Sequence, residues 1–142
     1  MSYFVDLTYE KIESKLLEYT QKVSSNKAGA ITTFLGTTRN YFEDKHVTKL
    51  AYTCYEDMAR SELEQICKQA LEKQGICNVL LVHRLGEVPI GEASVICLVS
   101  SEHRKEGYEV NQQMMEDLKK MVPIWKEEFY TDGEKNWKEN AI

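Results

Sequence analysis

Val79-Leu80-Leu81-Val82-His83-Arg84-Leu85-Gly86 and Ala93-Ser94-Val95-Ile96-Cys97-Leu98-Val99-Ser100 lie on either side of Pro89-Ile90-Gly91-Glu92. Both outer runs are apolar, rich in β-branched residues and of strand length, and the segment between them has the composition of a turn. Antiparallel pairing is the simplest way to join two such strands. Moving toward the N-terminus, Asp57 to Gln74 places Met58, Leu63, Ile66, Cys67, Ala70 and Leu71 at helical spacing, with Asp57 able to cap the start and Gly75 ending it. Val47 to Glu56 alternates Leu50, Tyr52 and Cys54 with Lys49, Ala51 and Thr53, the pattern of a strand with one buried face. Residues 37–46 are polar and read as a loop, and Gly29 to Gly36 reads as a further strand. A first helix is expected over Asp6–Val23, from Tyr9, Ile12, Leu16, Tyr19 and Val23, with Asp6 or Thr8 as cap.

Toward the C-terminus, Ser100 or Ser101 should open a third helix with Tyr108, Met114 or Met115, Leu118 and Met121 on its inner face. Pro123 stops it, because proline lacks the amide hydrogen that the Lys119 carbonyl would receive and its ring crowds that carbonyl. Val122, just before the proline, is pushed toward an extended conformation, and Pro123 itself can open a short helical turn. Thr131-Asp132-Gly133-Glu134 reads as a hairpin turn ahead of Trp137. Helices that interrupt strand pairs without strict alternation indicate an α+β fold with an antiparallel or mixed sheet and about three helices, in one domain over residues 1–142.

Bulk composition narrows the function classes. Hydrophobic residues make up 42% and charged residues 29% of the 142, and no apolar run is long enough to span a bilayer, so neither disorder nor a membrane partner is expected. A net charge of −5 argues against a nucleic-acid-binding face. The start of the chain carries no secretory signal, which makes the cytosol the expected compartment. Cys54, Cys67, Cys77 and Cys97 stand 13, 10 and 20 residues apart with no Cys-x-x-Cys, so reduced, mostly buried thiols are expected, with no metal and no cofactor.

Chemistry is concentrated in a few cations. Lys119 falls in the last turn before the proline and Lys126 just after it; a continuous helix would hold them roughly 10 Å apart, and a bend changes that separation enough for both to address one small anion. Ser101-Glu102-His103-Arg104 sits where a strand gives way to a helix N-terminus, a place suited to phosphate. Gly36-Thr37-Thr38-Arg39 follows another strand end, where hydroxyls, backbone amides and a guanidinium can meet one oxyanion. His83-Arg84, by contrast, reads as a structural pair within a strand. Taken singly, each could be ordinary surface polarity. Together Arg39, His103, Arg104, Lys119 and Lys126 suggest one cationic pocket, either catalytic or a noncatalytic recess for a partner's C-terminal carboxylate.

The strings Gly29-Ala-Ile-Thr-Thr-Phe-Leu-Gly-Thr-Thr-Arg39-Asn40, Val82-His-Arg-Leu-Gly-Glu87, Pro89-Ile-Gly-Glu92, Ser101-Glu-His-Arg104 and Leu118-Lys-Lys-Met-Val-Pro-Ile-Trp-Lys-Glu-Glu128 occur in that order. In this the chain resembles the catalytic, large subunit of molybdopterin synthase. The resemblance implies an α/β hammerhead-type fold that forms a homodimer within a heterotetramer, each copy binding a small ubiquitin-like sulfur carrier whose C-terminal Gly-Gly is a thiocarboxylate. It implies two sulfur transfers to cyclic pyranopterin monophosphate, giving molybdopterin. Carried over by position, Thr37, Thr38, Arg39, His103, Arg104, Lys119, Lys126, Glu127 and Glu128 are substrate-binding, and Lys119 and Lys126 are the functional lysines.

Overall fold

The computed structural model describes residues 1–131, 133 and 135–139, the last five as a backbone strand only. Its strands are β1 (Ser2–Thr8), β2 (Ala30–Thr37), β3 (Tyr41–Phe42), β4 (Lys45–Cys54), β5 (Ile76–Arg84), β6 (Gly86–Pro89), β7 (Ala93–Ser101), β8 (Ile124–Tyr130) and β9 (Lys135–Glu139). Helices are α1 (Leu16–Val23), α2 (Glu56–Leu71) and α3 (Arg104–Met121), with a 3₁₀ turn at Glu13–Lys15. One sheet runs β1-β5-β7-β2, with β1 parallel to β5 and the other pairs antiparallel. In the other, β3, β6 and β8 all pair with β4, and β9 extends it beyond β8. The expected α+β class and the antiparallel β5–β7 pair are both present.

The central strands bury both faces, which is why they read as unbroken apolar runs. Val79, Leu81, Val95, Cys97 and Val99 join α2 and α3 in one core, while Leu80, Val82, Ile96 and Leu98 pack under Tyr19 and Val23 of α1 in a second. The four cysteines are free thiols, three of them buried and Cys54 half-buried. Among the described residues, no helix is long and apolar enough to cross a membrane.

Several local expectations are corrected. Residues 6–8 belong to β1, not to a helix from Asp6 to Val23: Ser2–Thr8 lies along the free edge of β5, and that ladder outweighs the helical spacing of Tyr9 and Ile12. Asp6 caps nothing and instead meets Arg60 at 3.6 Å. The presumed loop at 37–46 contains β3, which pairs tightly with β4. Of Pro89–Glu92 only the last three residues turn, since Gly86–Pro89 pairs with β4. Tyr55, not Asp57, caps α2, without a side-chain bond, and Met58 is exposed where Ala59 is buried. Ser100 and Ser101 remain in β7; α3 starts at Arg104, and its inner face carries Gly107, Val110 and Asn111 beside the expected Met114 and Leu118, with Tyr108 and Met121 exposed. Val122 is extended, as the proline demands, but the chain enters β8 directly with no helical turn. Of the turn before β9, Asp132 and Glu134 lie outside the described residues, as does the Trp137 side chain.

The closeness of α3 to the sheet is set at Gly107. A Cβ there would stand 2.6 Å from Thr32 Oγ1 and 2.7 Å from Ser101 Oγ. Alanine normally stabilises a helix interior by about 1 kcal/mol over glycine. Here overpacking reverses the sign: Gly107→Ala should destabilise by about 1–3 kcal/mol, seen as a lowered midpoint in thermal unfolding.

Candidate active site

On β8, alternate residues turn Lys126, Glu128 and Tyr130 inward, against Tyr52 and Leu50, which are the cross-strand neighbours of Lys126 and Glu128 on β4. Lys126 is 8% and Glu128 2% exposed, so two ionisable side chains stand almost wholly withdrawn from bulk water. Burial of that kind is costly unless partners compensate it. The Tyr130 hydroxyl donates to Glu128 Oε1 at 3.2 Å. Lys126 and Glu128 form the floor of a cavity of about 320 Å³ whose walls include Arg39, Tyr41, Phe42 and Tyr52. Burial pushes the Tyr52 phenol up to about 12, which keeps it neutral and able to donate. Its ring meets the fully buried His83 edge-on at 4.9 Å. His83 is thus the structural histidine expected: burial lowers its pKa to about 4, and Nδ1 lies 2.8 Å from the Arg84 carbonyl.

Arg39 reaches this cavity because the end of β2 is strapped down. The β2–β7 register shifts between Gly36 and Thr37. Thr38 N–H then donates to the Glu92 carbonyl at 3.0 Å, and Gly91 N–H donates to the Thr38 carbonyl at 2.9 Å. Arg84 fixes Glu92 in turn through a 2.7 Å ion pair. Thr38 is therefore buried in the strap, while Thr37 and Arg39 line the cavity.

The remaining expected site residues lie elsewhere. Lys119 lines an adjoining cavity with Tyr108, Asn111 and Met115, and Phe34 forms part of the wall of both. The two lysines accordingly serve neighbouring recesses, and extended β8 rather than a bent helix sets their relation. Glu127 is on the opposite face of β8 from Lys126. His103 and Arg104 are exposed at the start of α3, in a depression that shares Tyr108 with the Lys119 cavity. Thr37, Arg39, Lys126 and Glu128 come together within one chain; His103 and Arg104 do not join them. The aromatic walls supplied by Tyr41, Phe42 and Tyr52 had no chemical signal in the sequence beyond the alternation that buries Tyr52. Among the described residues no cluster of His, Cys, Asp and Glu is arranged to hold a metal ion.

The family model described as MoaE protein matches residues 7–121. This chain belongs to the MoaE family. Curated molybdopterin synthase catalytic subunits from Dictyostelium discoideum and Arabidopsis thaliana are 45% and 44% identical to it, covering 97% and 96% of this chain and 88% and 69% of their own length. A crystal structure of molybdopterin synthase from Staphylococcus aureus superposes with a TM-score of 0.86 at 32% identity, over 94% of this chain and 96% of that one. The fold recurs in a complex of subunits 1 and 2 of molybdopterin-converting factor from Helicobacter pylori, with a TM-score of 0.76 at 24% identity, over 98% of this chain and 91% of that one. The MoaE match contains Arg39, His103, Arg104 and Lys119; Lys126 and Glu128 follow it, within the longer alignments to the curated subunits.

Proposed function

We propose that this chain is the catalytic subunit of a molybdopterin synthase, acting in the cytosol with a small sulfur carrier on a pterin phosphate. The observation that carries the reading is the cavity with Arg39 at its wall and the withdrawn Lys126 and Glu128 at its floor. Arg39 offers a planar fork of donors to phosphate. Lys126 stands where it can move a proton at the carbon under attack, and Lys119, in the next recess, meets the carrier's tail. Each transfer forms one carbon–sulfur bond between the pterin side chain and the thiocarboxylate sulfur while a carbon–oxygen bond at the same carbon breaks, its oxygen leaving on the opened phosphate or, once protonated, as water. Water then cleaves the resulting thioester, returning the carrier's carboxylate and leaving the sulfur on the pterin. Four free cysteines suit a reducing compartment.

A second copy of the chain completes the site. β2 ends its sheet, its outer edge has no strand partner among the described residues, and Ile31, Phe34 and Leu35 are 36–38% exposed along it. Open apolar edges invite pairing. Arg39 lies just past the C-terminal end of β2, whereas His103 and Arg104 follow Ser101, the partner of Ala30 at its N-terminal end. Eight residues of strand separate the two groups by roughly 26 Å. Antiparallel addition of a second β2 about a two-fold axis sets the partner's Ala30 end beside this chain's Thr37 end. The partner subunit's His103 and the partner subunit's Arg104 are thereby carried toward Arg39, and the reciprocal site forms by symmetry.

The test is conversion. Purified chain, thiocarboxylated carrier and cyclic pyranopterin monophosphate should yield the dithiolene, read as a fluorescent pterin after oxidation. Carrier binding without product would instead favour a noncatalytic tail-binding module.

A further inference from the structure

The Arg39 cavity has an aromatic wall that the proposed chemistry leaves unused. Tyr41 lines it, is 46% exposed, and yet is held at both ends. Its ring meets His46 edge-on at 5.9 Å, and its hydroxyl donates to the Asp44 carboxylate. The hairpin that carries it pairs Tyr41 with His46 and Phe42 with Lys45, leaving Glu43 and Asp44 as a two-residue turn. Both turn residues have positive φ, 47° and 65°, a conformation that glycine or asparagine adopts more easily. The hairpin's base is tied at two points, by Val47 N–H to the Asn40 carbonyl at 2.9 Å and by Thr131 N–H to the His46 carbonyl at 3.0 Å. An exposed tyrosine ordinarily swings among rotamers. This one is preorganised, on a strand that leads into a strained turn beside a cationic pocket, where such strain tends to be functional.

We propose that Tyr41 is the stacking platform for the heteroaromatic ring of the substrate, and so determines specificity for a fused planar ring system over other phosphate esters. Arg39 and Lys126 can take an anion but cannot distinguish a pterin from a sugar. A π-face can, because a flat ring recovers stacking that a sugar does not offer. The inference rests on the pterin phosphate reading above, and names Tyr41 as a binding residue of that same site.

Equilibrium binding of a pterin monophosphate and of ribose 5-phosphate, to the full chain and to Tyr41→Ala, Tyr41→Leu and Tyr41→Phe, tests it. Wild type should prefer the pterin monophosphate. Alanine and leucine should each weaken pterin binding by about tenfold, the scale of a lost base–aromatic stack, and leave ribose 5-phosphate unchanged. Phenylalanine should keep most of the preference, and in turnover the alanine variant should raise KM far more than it lowers kcat. Unaltered pterin binding by Tyr41→Ala overturns the proposal, and so does an equal loss of both ligands in the alanine and leucine variants. Ring-dependent binding by a wild-type chain that forms no dithiolene would uphold the stacking and overturn the function instead.

Discussion

Lys126→Ala should lower dithiolene formation by roughly 10²–10⁴-fold when thiocarboxylated carrier is supplied ready-made, the range expected for loss of a positioned proton-transfer group. The size of the effect follows from burial. Lys126 is 8% exposed at the floor of a cavity it shares with Glu128, so solvent cannot easily deliver a replacement proton donor or acceptor to that place. Lys119→Ala should also be severe, but differently. Because Lys119 lines the adjoining recess, its loss should be most evident as a weakened response to carrier concentration, while pterin binding is retained. Arginine at position 126 should not rescue, since its rigid fork does not reproduce a compact ammonium. Near-normal product from both alanine variants, with folding verified by circular dichroism, would remove the lysines from the chemistry.

Stability should fall by about 3 kcal/mol as the pH drops from 7 to 4, through His83 alone. The folded pKa is about 4 because the ring is wholly buried, against an ordinary value of 6.5. Between those limits the unfolded chain binds a proton that the folded chain refuses. The contribution is therefore complete above pH 6.5 and is lost as pH falls toward 4. His83→Leu should lose stability at pH 7, where the bond to the Arg84 carbonyl and the edge contact with Tyr52 are given up, but its acid dependence should be flatter by that same amount. Urea unfolding at pH 7, 5.5 and 4 measures both slopes. Parallel slopes for wild type and variant would show that His83 is not the acid-sensitive group.

The paired central strands were legible because β5 and β7 are apolar on both faces, and the break at Pro123 because a missing amide hydrogen is a local fact. β1 was hidden: Ser2–Thr8 is strand by virtue of the free edge of β5, some seventy residues away in sequence, while Tyr9 and Ile12 nearby imitate a helix. The inner face of α3 misled for a related reason. Tyr108 and Met121 are apolar enough to suggest burial, but the helix touches the sheet through Gly107 and Asn111, whose side chain donates to the carbonyls of Thr32 and Cys97 at 3.1 and 3.0 Å. Arg39 and Lys126 could be singled out by charge and position, yet that they share a cavity depends on Tyr52 pairing with Lys126 across β4 and β8, which no short-range pattern encodes. Tyr41 gave no signal, since its interest arises from two contacts and a turn with positive φ.

Mixing two inactive variants tests most directly whether the cations converge between copies. Arg39→Ala and Arg104→Ala should each be inactive alone. Co-refolded in equal amounts they should recover about a quarter of wild-type dithiolene formation, because half of the dimers are mixed and each mixed dimer keeps one intact site. Recovery near zero, from mixed dimers shown to have formed, would contradict a site shared between two copies.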